Sequence, residues 1–135
     1  MSDSVSDLAD IPASVLARIA ELEENAVEEG ITVSEVSRAD LLALVREHGL
    51  TGIPAIFLSD EGTFTAAWRH GPGKHLSLQL VGSRRMRYVL FGTKEDGTTY
   101  SRVHDAHLGA FTVLLEEAGF GDQLPSRPEA PLLAG

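Results

Sequence analysis

TFTAAWRHGPGKHLSLQLVGSRRMRYVLFGTKEDGTTYSRV, residues 63–103, decides the fold. From Thr63 to Arg69 the residues alternate, with Phe64, Ala66 and Trp68 on one side and Thr65, Ala67 and Arg69 on the other. A period of two is the signature of a strand with one buried face. Gly71-Pro72-Gly73 then turns the chain, and Leu76, Leu78 and Leu80 point inward with Ser77 and Gln79 outward. Gly82-Ser83 begins another turn, and Met86 to Phe91 is a strand with apolar residues on both sides. Glu95-Asp96-Gly97 turns the chain once more before a weaker strand from Thr98 to Val103. Upstream, the short apolar run Ala55 to Ser59 ends in the turn residues Asp60-Glu61-Gly62. Turns at this regular spacing, with alternation between them, predict an antiparallel meander of four or five strands.

The flanks change period. Ile11-Pro12 opens a helix, because proline is tolerated in the first turn and presets φ. Val15, Leu16, Ile19, Leu22, Ala26 and Val27 then recur at helical steps to about Glu29, and Gly30 is the stop. A second helix is expected from Ser37, which with Asp40 has the form of a capping box, to His48-Gly49. Leu41, Leu42, Leu44 and Val45 are its buried stripe. A last helix is expected from Ala106 to Ala118, burying Leu108, Phe111, Leu114 and Leu115. One sheet face must be covered, and helices are the available cover. The fold class is therefore α+β: two N-terminal helices, a four- to five-stranded antiparallel meander, and a C-terminal helix packed on one sheet face. A small closed barrel wrapped by helices is the alternative. Residues 1–10 read as a flexible acidic leader, 11–120 as a single domain, and 121–135, with three prolines, as a loosely attached tail.

Composition removes several chemistries. The chain has 135 residues, no cysteine and a formal charge of -9. One domain is the expectation at this length. Disulfides, thiolate nucleophiles, iron–sulfur clusters and cysteine-based zinc sites are excluded. The longest aliphatic run, Leu41 to Val45, is far short of the ~20 residues a membrane helix needs. Met1 to Asp10 is acidic and lacks the pattern of a secretion signal, so a cytoplasmic protein is expected. Nine Arg against two Lys, with one Asn, point to a GC-rich, bacterial genome.

Motifs for catalysis are missing. Four of the five histidines, His70, His75, His104 and His107, fall in or beside the meander, but its alternating strand directions keep them from converging on one metal. They read as solvated turn histidines, and neither metal nor cofactor is expected. Gly71-Pro72-Gly73-Lys74 lacks the spacing and following helix of a phosphate loop. No G-x-S-x-G or H-E-x-x-H occurs, and Glu21/Glu24 or Glu116/Glu117 read as solvated carboxylates rather than acid/base pairs. The Gly30 to Val36 connection is longer than a helix-turn-helix allows, and the second helix sets Arg38 and Arg46 against Asp40 and Glu47. A non-enzyme is expected.

Charge is what remains. Residues 1–50 carry eleven acids against three arginines, whereas residues 51–105 carry five acids against seven bases. Acidic surface attracts basic partners and speeds their encounter. The expectation is a small non-catalytic module of antitoxin, immunity-protein or phage-type inhibitor character, binding a basic protein through Glu21, Glu24, Glu28, Glu29, Asp40 and Glu47. The plain alternative is that acidity only keeps the chain soluble. A second functional reading is nucleic-acid binding by a sheet face bearing Arg69, Arg84, Arg85, Arg87 and Arg102. The same arginines suit a homodimer in which acidic helices of one copy meet the arginine face of another.

Overall fold

The computed structural model describes residues 11–70 and 73–120. The expected leader, the tail beyond Phe120, and the Gly71-Pro72 part of the first long hairpin turn lie outside the described residues.

Helix α1 spans Ala13–Glu29 and buries Val15, Ile19, Leu22 and Ala26 of the expected stripe, while Leu16 is partly buried and Val27, in the last turn, is 80% exposed. Gly30, at φ 74°, closes it, and the Ile31 N–H donates to the Ala26 carbonyl at 2.9 Å. That left-handed stop satisfies carbonyls the helix leaves open. Helix α2 spans Glu35–His48, beginning two residues before the expected start at Ser37. Ser34 is the N-cap, its Oγ accepting the Ser37 N–H. Ser37 is instead fully buried, and its hydroxyl accepts from the Phe64 N–H at 2.8 Å while donating to the Leu80 carbonyl at 2.5 Å. One side chain of α2 thus bridges two strands.

Five strands follow: β1 (Ala55–Leu58), β2 (Phe64–His70), β3 (Lys74–Gly82), β4 (Arg85–Thr93) and β5 (Thr99–His107). All pair antiparallel in the order β1-β2-β3-β4-β5, so the sheet is an open meander and not a barrel. Register places Phe64 beside Leu80, Trp68 beside Leu76, and Leu78 beside Tyr88. These residues, with Ala66, Met86 and Leu90, form the buried face. After β5 a single 3-10 turn, Leu108–Ala110, leads into α3, Phe111–Glu117.

Helix expected from Ala106 is strand as far as His107. Ala106 pairs with Met86 and His107 with Arg85, and the His107 Nδ1 then accepts the Gly109 N–H and caps the 3-10 turn. The C-terminal element closes the core: the Phe111 ring lies 5.4 Å from Trp68 of β2 and 4.9 Å from His48 at the end of α2. Aromatic pairs at these separations and tilts contribute beyond the area they bury. All three helices therefore contribute to one apolar core with the inner sheet face, and the other face is open.

The β3–β4 turn is the most constrained backbone in the fold. Ser83 and Arg84 both have positive φ, 58° and 60°. A two-residue hairpin needs this geometry to match strand twist, but non-glycine residues adopt it at a cost. Ties from outside the turn hold it. The Arg84 N–H donates to Asp40 Oδ2 at 2.9 Å, its guanidinium grips both Glu47 oxygens at 2.8 and 2.7 Å, and its carbonyl accepts the Leu108 N–H.

Candidate functional site

The acidic residues of the two N-terminal helices have two separate fates. On α1, Glu21, Glu24 and Glu28 are exposed away from the stripe that faces the core, and Glu29 is exposed in the last turn. Glu21 pairs with Arg18 at 2.9 Å, and Glu23, a residue not in the expected set, pairs with Arg38 at 3.1 Å. Glu24, Glu28 and Glu29 have no ion-pair partner among the described residues. On α2, Asp40 is only 7% exposed and is committed to the turn at Arg84, so it does not belong to the acidic surface. Glu47 is exposed but its carboxylate is held by Arg84, whose hydrogen bonds keep its pKa below the usual value. These two acids are structural.

The five arginines do not share one face. Arg102 lies beside Leu90 on the helix-bearing side, its Nε donating to the Tyr88 hydroxyl at 3.0 Å and its Nη2 to Glu117 at 2.6 Å. Arg84 sits in the turn, gripped by Glu47. Arg87 is on the open face but its Nε meets Asp105 at 3.2 Å across the β4–β5 pairing. Of these five arginines, Arg69 and Arg85 are exposed without an ion-pair partner among the described residues, as are Arg46, Lys74 and Lys94 elsewhere. Arg69 and Arg85 lie at opposite ends of the meander's strands, since Arg69 pairs with His75 at one end of β3 and Arg85 with Gly82 at the other.

The open face also carries a cleft of about 330 Å³ whose polar rim is Glu61, Thr63, Gln79, Arg85, Arg87 and Asp105. Four of these groups are paired: Gln79 Nε2 donates to Thr63 Oγ1 at 2.9 Å, and Arg87 is spent on Asp105. Both signs of charge are present, and nothing there aligns a nucleophile with a base. The open face also exposes Phe57, Val81, Phe91 and Val103, interspersed with polar residues such as Arg69 and Ser101.

Histidines are dispersed. His75 packs on Phe91 with ring centroids 5.6 Å apart, and burial, followed by the charge of Arg69, pushes its pKa down. His104 stacks on Tyr88, its cross-strand neighbour on the helix-bearing face, and His107 caps the 3-10 turn. No group of three or more potential ligands converges among the described residues. No helix among them is long and apolar enough to cross a membrane. Sequence reasoning set Val89 and Phe91 on the face of Arg87 but missed Phe57, Val81 and Val103 there, and the Glu23–Arg38 pair. Alternation signalled the former, but the latter joins two helices and leaves no local trace.

Fold and surface together define an α+β chain with a one-sided antiparallel meander, an acidic first helix, and sheet and turn arginines of which Arg84, Arg87 and Arg102 are internally paired. No family model, curated protein or solved structure matches it.

Proposed function

We propose that this chain is a small, non-catalytic protein-binding module, of antitoxin, immunity-protein or phage-type inhibitor character in a bacterial cytoplasm, that engages a basic protein surface through α1. The observation that supports this reading is the asymmetry of pairing. Arg84, Arg87 and Arg102 are each met by an internal carboxylate, whereas Glu24, Glu28 and Glu29 meet none among the described residues. With Arg18, Arg38, Arg84, Arg87 and Arg102 paired to carboxylates and a formal charge of -9, acids dominate the field outside the molecule. Glu21, Glu24, Glu28 and Glu29 then steer a positive surface in and cover it, and Asp40 and Glu47 serve by holding the fold beneath them.

The test is affinity capture from the native host with the full chain and with a Glu21, Glu24, Glu28 and Glu29→Gln variant, beside a gel-shift series with labelled oligonucleotides at low salt. The reading expects a basic protein retained by the native chain, lost on the variant, and no shifted oligonucleotide. An oligonucleotide shift that weakens steeply with salt and disappears in Arg69→Glu plus Arg85→Glu assigns the chain to nucleic acid instead. Equal capture by native chain and variant overturns the role of α1.

A further inference from the structure

An open meander leaves two edges, and they are treated differently. β1 is four residues long, and its Ile56 carbonyl already accepts the Arg18 Nε of α1 at 3.0 Å. β5 is nine residues long, carries neither proline nor lysine, and pairs with β4 without a break in register. Among the described residues no strand pairs with its outer side. Natural sheets usually shorten, bulge or charge such an edge with lysine, because a bare one templates another strand.

The phase of that edge follows from two hydrogen bonds. Lys94 N–H donates to Thr98 O at 2.8 Å beyond one end of the β4–β5 ladder, and Leu108 N–H to Arg84 O at 2.9 Å beyond the other. Antiparallel ladders alternate between bonded and non-bonded pairs, and both contacts set the same alternation. Tyr100, Arg102, His104 and Ala106 therefore turn their backbone groups to β4. Thr99, Ser101, Val103, Asp105 and His107 turn theirs to the open edge. Val103 is the midpoint of the strand and is 62% exposed.

We propose that a second copy of this chain pairs with this edge, β5 against β5, antiparallel about a two-fold axis at Val103. This axis overlays the whole strand and puts all five outward-facing residues in bonded positions. Ser101 then meets Asp105 of the second copy, Thr99 meets His107, and Arg102 meets His104, so no carboxylate faces a carboxylate and no guanidinium a guanidinium. Moving the axis to Arg102 or to Asp105 sets like charges face to face, which is unfavourable in cross-strand pairs. On the open side Val89 lies beside Val103, so the axis joins two such pairs into one valine patch. The carboxylates nearest this edge, Asp105 and Glu117, are paired with Arg87 and Arg102. A chain at -9 repels its own copy, but α1 packs against β1 at the opposite edge, so its glutamates stay away from the axis. The dimer is a continuous sheet of twice five strands with an acidic helix at each end, independent of what those helices bind.

Light scattering and sedimentation of the full chain, from micromolar to millimolar concentration, test the pairing together with three single variants. The native chain is expected to approach twice 14.5 kDa. Val103→Pro deletes an N–H that points away from β4, so it keeps the native circular dichroism and weakens association roughly tenfold or more. Because the chain has no cysteine, Val103→Cys is expected to form a disulfide-linked dimer under mild oxidation, and Val81→Cys, exposed on β3 within the sheet, is not. The cysteine pair decides the matter if Val103→Pro fails to fold. A monomer at every concentration, a dimer indifferent to Val103→Pro, or equal cross-linking of the two cysteine variants overturns the proposal.

Discussion

Helices α1 and α2 are both acidic, and they use their acids in opposite ways. The four α1 glutamates of the proposed site point into solvent, while Asp40 and Glu47 of α2 are built into the β3–β4 turn. What differs is the surface each helix lies against. α1 packs on the short edge strand β1, where backbone needs little help. α2 crosses the ends of β2 and β3, where a hairpin bends through two non-glycine residues at positive φ. Strain of that kind costs of order 1–3 kcal/mol per residue and persists only when neighbours over-determine it. The lesson is that a carboxylate on a helix is a surface charge or a structural tie according to what its helix is laid across.

The comparison is sharpest where α2 reaches furthest into the sheet. Ser37→Ala leaves the Phe64 N–H and the Leu80 carbonyl without their buried partner, and is expected to cost about 2–4 kcal/mol in urea unfolding. Asp40→Ala removes the acceptor of the Arg84 N–H and releases a strained turn, at about 1–3 kcal/mol in the same measurement.

A smaller effect is expected on acidification. Burial pushes the His48 pKa below the ordinary 6.5, so the folded state resists its protonation. Such a group stabilises the fold fully above its unfolded pKa, and that contribution drains away as pH falls from about 6.5 through the lowered value. Thermal midpoints should therefore decline over that window, and His48→Gln should flatten the decline. At the bottom of the scale, Gln at all four α1 positions is expected to shift unfolding by less than about 0.5 kcal/mol. A large loss there, or none at Asp40, breaks the distinction between the helices.

Much of the architecture was legible because it is local. Alternation through Trp68, Leu78 and Tyr88 announced the inner face, and Gly30 and Gly49, both left-handed in the structure, marked the helix ends. The end of β5 was not legible. Edge strands bury little, so Arg102, Val103, His104 and Asp105 show no hydrophobic period, and only pairing with β4 carries the strand to His107. Ser37 resembled a cap because serine three residues before an acid is one, but Ser34 holds that place and Ser37 is needed inside. In the candidate site, α1 was readable from its amphipathic period. Asp40, on the polar side of a predicted helix, gave no hint of the turn it supports, forty-four residues away in sequence.

By itself the sequence determined the α+β class, the order of elements, the one-sided core, and the missing chemistries of cysteine and catalytic motifs. These depend on hydrophobic period and on turn and cap residues, which act over a few positions. Only the tertiary structure decided which charges are paired internally and which are left exposed. Ion pairs such as Arg84–Glu47 and Arg102–Glu117 join residues far apart along the chain, and neutralisation is a property of distance in space.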